Sequence, residues 1–182
     1  MLLYLKSILQ LILSPAHGWE DVAKDAEEPR YLAFGGLYPM IALTSLTTFL
    51  ALFYDSEATF VPTLIKSIEV FLIFFLGYFI GIWIFSIILP TLSRKGVDEK
   101  KIQTFGVYST GLLALIWLVS NVLPMKLTII YFLPLYVMIV QWKGWRYLGV
   151  DSRNQFKFVV LSIVGFILPP YLLYFLFSLI LI

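Results

Sequence analysis

The 182-residue chain has no cysteine and a single histidine, His17. Without a thiol it can form neither a disulfide nor a thiolate metal site, and a cysteine nucleophile is excluded. One imidazole cannot build a zinc site, and His17, two residues before Trp19, is interpreted as an interface residue rather than a ligand. We therefore predict that the protein holds no metal and no cofactor.

The chain also contains few charged residues. Charged residues make up 13% of the chain and hydrophobic residues 60%, and this charged share is roughly half that of an average soluble domain. A soluble fold of this size could not cover so much apolar surface with polar groups, whereas lipid removes that requirement. The net charge of +2 is too small to indicate a nucleic-acid partner. The composition predicts an all-α integral membrane protein.

Five long apolar stretches follow the first 30 residues, and a bilayer crossing needs about 20 such residues. The predicted spans are 31–54, 63–89, 105–123, 127–142 and 158–182, which together form a transmembrane domain over 31–182. The fourth span is the shortest, so a re-entrant hairpin of the third and fourth segments is the alternative. Prolines inside three of the spans are interpreted as kinks, since membrane helices tolerate them: Pro39, Pro134 and Pro169-Pro170.

Residues 1–30 are predicted to form a separate unit of short helices at the cytosolic membrane interface. Residues 1–13 are rich in Leu and Ile, but Lys6 and Gln10 interrupt them and share one helical face. That pattern is typical of a helix lying in the interface. A signal peptide is the alternative, although no Ala-x-Ala cleavage pattern follows.

A second short helix is predicted to begin at Ser14-Pro15, because serine is a good N-cap and proline suits the first helical position. Glu20 and Lys24 are spaced as an i,i+4 ion pair. Pro29 is expected to end this helix, because the residue before a proline avoids the helical conformation.

The distribution of lysine and arginine predicts the orientation of the chain in the membrane. Eleven of the 13 basic residues lie in three regions that five crossings place on one side: Lys6, Lys24 and Arg30; Arg94, Lys95, Lys100 and Lys101; Lys143, Arg146, Arg153 and Lys157. The other side keeps only Lys66 and Lys126. The positive-inside rule then predicts a multi-pass protein of the cell (inner) membrane with a cytoplasmic N-terminus and an outside C-terminus. The cytoplasmic loops are expected to contact anionic lipid headgroups, and Trp142, Trp145 and Tyr147 to anchor that interface.

Small residues mark candidate packing surfaces inside the spans. In the second span Gly77 and Gly81 let another backbone approach closely. They share a helical face with Lys66 and Glu69, so this face is predicted to point into the bundle while the opposite aromatic face points out. The third span continues the pattern with a matching ridge and one further polar residue: Gly106, Thr110, Ala114 and Asn121.

These residues allow more than one interpretation. Tight helix packing is the simpler reading of the small-residue ridges, and a pathway or a partner-helix groove is the other. Lys66 and Glu69 are interpreted as a paired couple near the interface, or alternatively as a proton or ion site. Glu69 is the only carboxylate within the predicted spans, so no catalytic set of side chains lies at bilayer depth. We predict that the protein has no catalytic residue and is not an enzyme.

Two short motifs resemble the Yip family, the Ypt/Rab-interacting membrane proteins, in its bacterial-type form. One is Leu13-Ser-Pro-Ala-His-Gly-Trp-Glu-Asp-Val-Ala23, and the other is Phe105-Gly-Val-Tyr-Ser at the start of the third span. The resemblance implies a five-span protein with a cytosolic N-terminus. Eukaryotic members of the family act with Rab GTPases in vesicle trafficking. No Asp-Leu-Tyr-Gly-Pro-like segment precedes the first span here, which leaves Rab binding outside the expectation.

The sequence therefore predicts a non-enzymatic membrane scaffold or interaction protein, whose partner is another membrane protein or a second copy of the chain. The alternative is a small transporter or channel component that uses Lys66 and Glu69. A polar cavity within the bilayer would favour the alternative, and a dry apolar core would argue against it.

Overall fold

A computed structural model of the protein describes residues 2–93, 96–123 and 128–180. Within these ranges the chain is helical and forms no β-strand. Several predicted features lie outside the described residues: the loop cations Arg94, Lys95 and Lys126, the first residue of the predicted fourth span, Leu127, and the end of the predicted fifth span at 181–182.

Seven helices occupy the described ranges: α1 (Leu2–Leu13), α2 (Pro15–Asp25), α3 (Pro29–Tyr54), α4 (Phe60–Leu92), α5 (Glu99–Val122), α6 (Thr128–Lys143) and α7 (Ser152–Ile180). Four of them, α3, α4, α5 and α7, are long and apolar enough to cross a membrane. The helix α6 is apolar but shorter, and its first turn, Thr128–Phe132, is a 3₁₀-helix. The prediction of an all-helical chain is confirmed for the described residues, and four of its helices have the length and composition that a membrane crossing needs.

A wide, π-helical turn interrupts both α3 and α7, at Ala33–Leu37 and Ile163–Ile167. Each turn is followed by a proline, which cannot donate a backbone hydrogen bond and whose ring crowds the carbonyl four residues earlier. That earlier residue is a glycine in both helices, Gly35 before Pro39 and Gly165 before Pro169. The π-turn is the local adjustment that relieves the proline clash in each helix.

The helix α5 runs through the middle of the bundle. All its residues from Thr104 to Ala114 are buried, and the most apolar window of α5 is 67% buried, against 33–39% for α3, α4 and α7. Four fully buried phenylalanines form the aromatic centre of the core: Phe85 of α4, Phe105 of α5, and Phe158 and Phe166 of α7. The core is therefore apolar and aromatic where α4, α5 and α7 meet.

The helices α1 and α2 pack against each other and against the bundle. One face of α1 is buried, with Tyr4, Ile8 and Leu11 at most 2% exposed. In α2 the buried residues are Gly18, Trp19 and Val22. This N-terminal unit (α1 and α2) is thus docked onto the long helices through its own apolar face.

Two local predictions for α2 are wrong. The helix ends at Asp25, where Ala26 adopts a left-handed conformation with φ of 44°, and Pro29 begins α3 instead of ending α2. The predicted pair of Glu20 and Lys24 is replaced by i,i+3 contacts, with Lys24 Nζ 3.5 Å from Asp21 Oδ1 and Glu20 Oε2 3.3 Å from His17 Nδ1. Proline has no backbone N–H, and at the first position of a helix an N–H would have no partner within the helix. Pro29 therefore suits a helix start.

The N-terminal unit lies at the same end of the bundle as the α4–α5 and α6–α7 loops; we call this the N-terminal end. Lys100 Nζ, at the start of α5, is 3.4 Å from Glu28 Oε1. Trp19 Nε1 donates to the carbonyl of Val140, near the end of α6, at 2.8 Å. The chain therefore leaves this end along α5 and returns to it along α6. The opposite end, where α3 meets α4, is called the far end.

Candidate functional site

The five predicted packing residues, Gly77, Gly81, Gly106, Thr110 and Ala114, are all buried. A Cβ at Gly81 would lie 2.5 Å from the carbonyl oxygen of Gly165, and one at Gly77 would lie 3.1 Å from Pro170 Cγ. The glycines of α4 therefore bring its backbone against α7, at and just beyond the π-turn. Gly106 of α5 faces the same region, since its Cβ would meet the Phe166 ring at 3.0 Å.

The predicted inward face of α4 is only partly the observed one. Gly77 and Gly81 are buried, but Glu69 is half-buried at the edge of that face and Lys66 is exposed. The aromatic Tyr78, predicted to point outward, is buried. The buried side of α4 is centred on Thr63, Ser67, Val70, Phe74 and Phe85 as well as the glycines. Packing against the large core aromatics turns the helix away from the orientation that small residues alone suggested.

Lys66 and Glu69 are not joined by a salt bridge, since no ion pair within 4.0 Å involves either residue in the described part of the chain. The two side chains therefore do not form the close couple expected from their spacing. They also differ in surroundings, because Lys66 lines a cavity and Glu69 is not among its lining residues.

This cavity has a volume of about 480 Å³ and lies at the far end. Each helix from α3 to α7 contributes to it. Its lining residues are Thr48 of α3, Lys66 and Val70 of α4, Ile116, Trp117, Ser120 and Asn121 of α5, Ile130 and Pro134 of α6, and Tyr171 and Tyr174 of α7. We call it the Lys66 cavity.

Polar groups of α3, α4 and α5 gather beside the Lys66 cavity. Asn121 Nδ2 donates to Thr47 Oγ1 at 3.2 Å and approaches the carbonyl of Thr44 at 3.5 Å. The Thr48 hydroxyl donates to Ser45 O at 2.7 Å, and the Ser67 hydroxyl donates to the same carbonyl at 2.9 Å. These bonds tie the end of α3 to α4 and α5 and fix Asn121 in place.

Aromatic rings form the deeper wall of the cavity. The ring of Trp117 meets Phe74 edge-on, with centroids 5.3 Å apart, and meets Tyr174 at 5.7 Å and Tyr171 at 6.4 Å. Phe74 and Ala114, toward the middle of the bundle, are 0% exposed. On this side the Lys66 cavity is therefore bounded by packed, buried side chains.

Sequence reasoning identified Lys66 and Asn121 but missed the aromatic wall. The spacing of these aromatic residues along their helices could have indicated the wall. Trp117 precedes Asn121 by four residues and so shares its helical face, and Tyr171 and Tyr174 are three residues apart on one face of α7. The sequence of one helix does not reveal which face of another helix it packs against. The cavity forms only where these particular faces meet.

A second cluster, the Trp19 cluster, lies at the N-terminal end. Trp19 stacks on Phe105 with centroids 5.1 Å apart and on Tyr147 at 5.3 Å. Burial raises the pKa of Tyr147 to about 12, with smaller contributions from Tyr108 and Asp98, against a hydrogen bond from Thr104 that lowers it. Lys101 Nζ lies 5.7 Å from the Tyr147 ring. Tyr147, predicted as an interface anchor, therefore also holds the N-terminal unit.

The other predicted anchors carry cations over their rings. Lys143 Nζ lies 4.6 Å from the Trp142 ring, and the guanidinium of Arg146 lies 5.3 Å from the Trp145 ring. Such contacts hold cationic groups beside an aromatic face.

Among the described residues, no group of three or more histidine, aspartate or glutamate side chains is arranged to hold a metal ion. No protein-family model matches the chain, and neither a curated protein nor a solved structure matches it significantly.

Proposed function

We propose that the chain is a non-enzymatic, five-crossing membrane protein of the Yip type, which acts as a scaffold or interaction protein through its N-terminal end. The observation that carries the proposal is the packing of the N-terminal unit, and of the residues that connect it to α3, against the start of α5, the end of α6 and the α6–α7 loop. Trp19 contacts α5, α6 and Tyr147, and Glu28 pairs with Lys100. A surface held by several contacts in this way is pre-organised, which lowers the entropic cost of binding a partner.

Five crossings require α6 to traverse the bilayer. Its five-residue 3₁₀ turn and eleven-residue α-helix span about 26 Å at the usual rises per residue. A hydrocarbon core of about 30 Å can thin locally around a short segment at a modest cost. The contact of Trp19 with Val140 supports the same topology, because it joins the end of α6 to the N-terminal unit.

The surface of the N-terminal end carries both signs of charge. Its exposed cations include Lys24, Lys101, Lys143 and Arg146, and exposed acids such as Glu20 lie among them. Mixed charge of this kind favours a specific protein partner through complementarity. The cations add affinity for anionic lipid, at about 1 kcal/mol for each basic residue near the membrane surface. The proposal therefore places this end in the cytoplasm, beside anionic headgroups and a membrane-protein partner or a second copy of the chain.

Site-specific photo-crosslinking in intact membranes tests the proposal. A photoreactive amino acid is introduced at exposed positions of the N-terminal end, Ala16 and Ala23, and at the matched exposed position Ser56 of the far end. We expect discrete protein adducts of one or a few masses from the first two positions and none from Ser56. Adducts that are equally abundant from both ends, or lipid adducts alone at all three positions, would contradict a partner-binding role for the N-terminal end.

A transporter or channel component is the second candidate, and the Lys66 cavity is the observation that favours it. The packed aromatic floor at Phe74 argues against an open pore. Solute and proton flux into proteoliposomes, measured for the wild type, Lys66→Met and Glu69→Gln, separates the two functions. Flux that requires either side chain supports transport. The absence of flux, or flux unchanged by both substitutions, removes the ion-site hypothesis.

A further inference from the structure

From the Lys66 cavity we infer a ligand site for an anionic amphiphile, a molecule with one negatively charged headgroup on a single alkyl chain. The inference goes beyond the scaffold role. It concerns the far end of the bundle, whereas the scaffold role depends on the N-terminal end. Either can therefore fail without the other.

Lys66 supplies the charge recognition. It is the one charged residue among the described residues that line the cavity. In the part of the chain that the structure describes, no carboxylate oxygen lies within 4.0 Å of its ammonium nitrogen. Attraction between opposite charges is stronger where protein and lipid displace water. An anionic headgroup beside Lys66 is therefore favoured over a neutral or cationic one.

Neutral polar groups line the same cavity as Lys66. Asn121 is fixed by its bond to Thr47, and the exposed Ser120 is the adjacent residue on α5. Hydroxyl and amide groups that share a cavity with a lysine suit carboxylate or phosphate oxygens, which accept several hydrogen bonds at once. These groups lie near the end of α5, so the headgroup is placed at the mouth of the cavity.

The remaining walls select the alkyl chain. They are aliphatic at Val70, Ile116 and Ile130 and aromatic at Trp117 and Tyr174. A small inorganic anion would leave these apolar walls uncovered, whereas an alkyl chain covers them. The volume of about 480 Å³ lies in the lower half of the range for small-molecule sites, about 300–1,000 Å³, which favours one chain over two.

Photolabelling of the full chain in phosphatidylcholine nanodiscs tests the inference. The probe is a hexadecanoate with a photoactivatable diazirine on its chain, and the matched probe carries the same chain on a trimethylammonium headgroup. We expect the carboxylate probe to label peptides of α5 and α7 that contain Trp117 and Tyr174, and unlabelled dodecanoate to compete. We expect the trimethylammonium probe to label them at least tenfold less.

Three variants complete the experiment. Lys66 is exposed, so Lys66→Met should fold, and the unchanged elution and helicity of the purified variant check this. It should lose at least tenfold of the cavity labelling, while Lys66→Arg keeps the charge and retains the labelling. Lys24→Met, at the N-terminal end, is the matched control and should label like the wild type. Equal labelling in Lys66→Met and wild type, or equal labelling by the two probes, would overturn the inference.

Discussion

Tyr4 shows how a single side chain can fasten the N-terminal unit to the bundle. Its ring lies against Gly36 in the π-turn of α3, and its hydroxyl lies beside Gly111 of α5 and donates to the carbonyl of Val107 at 3.3 Å. A Cβ at either glycine would overlap the tyrosine. Burial raises the pKa of the Tyr4 hydroxyl well above its usual range, with smaller contributions from Tyr108 and Tyr78. The neutral phenol is therefore the form that fits between these helices.

Gly36→Ala should destabilise this contact, and Gly35→Ala is its matched control. The new Cβ at Gly36 would lie 2.8 Å from Tyr4 Cβ and closer still to the ring, whereas no atom of another element lies within 4 Å of a Cβ at Gly35. Overpacking of this kind costs about 1–3 kcal/mol. We expect Gly36→Ala to lower the thermal midpoint in detergent and to speed proteolysis within α1 and α2. Gly35→Ala should neither lower the midpoint nor speed proteolysis, because alanine favours a helix over glycine where space allows. An equal loss in the two variants would contradict the Tyr4 contact.

Ionisation of the single side chain of Tyr147 should make the stability of the N-terminal unit depend on pH. Its pKa rises from 10.0 to about 12 on folding, chiefly through burial. A raised pKa means that the folded state holds the proton more tightly. The contribution of this proton to the free energy of unfolding is fully present below pH 10 and is lost as the pH rises toward 12. We expect the N-terminal unit to become protease-sensitive over this interval, and Tyr147→Phe to show a smaller change. Thermal midpoints of both proteins, recorded between pH 10 and pH 12, measure this fall in stability. An identical fall in Tyr147→Phe would assign the effect to other groups.

At the scale of the helices, the sequence located the four long segments well because each is a continuous apolar run. The predicted second span, 63–89, lies within the observed α4, Phe60–Leu92, and the first, 31–54, within Pro29–Tyr54. The orientation of each helix about its axis was harder to predict. Small residues correctly marked Gly77 and Gly81 as buried, but burial of the large aromatic residues decided where Glu69 lies.

The close approach of α4 and α7 makes a specific prediction. Gly81→Ala would place a Cβ 2.5 Å from the Gly165 carbonyl oxygen, whereas Gly77→Ala would meet Pro170 Cγ at 3.1 Å. Because backbone atoms move less easily than a ring edge, Gly81→Ala should cost about 1–3 kcal/mol. Gly77→Ala should cost less, since alanine also favours the helix by up to about 1 kcal/mol. Reversible unfolding in mixed detergent measures both, and the opposite ranking would contradict the observed contact.

The contacts that create the candidate site were beyond the reach of sequence reasoning for a physical reason. Lys66 and Asn121 are 55 positions apart in the chain, and no periodicity within one helix states which other helix it will face. The π-turns were missed for the same reason. A proline predicts a kink, but whether the helix widens depends on the residue four positions earlier and on the neighbour that fills the opening.

At the scale of the whole molecule, the proposed five-crossing topology can be tested by cysteine labelling because the chain has no native cysteine. Single substitutions Ala23→Cys, Glu57→Cys and Ser152→Cys place a thiol at exposed positions of the N-terminal unit, the α3–α4 connection and the start of α7. A membrane-impermeant maleimide applied to right-side-out and inside-out vesicles should label positions 23 and 152 from one side and position 57 from the other. Labelling of position 152 from the same side as 57 would contradict five crossings and would mean that α6 does not cross.

The enclosure of α5 has a consequence for how the protein is made. Its buried stretch contains the hydroxyl groups of Thr104, Ser109 and Thr110, and Gly106 is covered by Phe166. Because α7 follows α5 in the chain, the ribosome delivers α5 before the helix that shields it. A nascent chain that stops after α6 would leave Gly106 without its Phe166 cover. The packing around α5 is therefore completed only when α7 arrives.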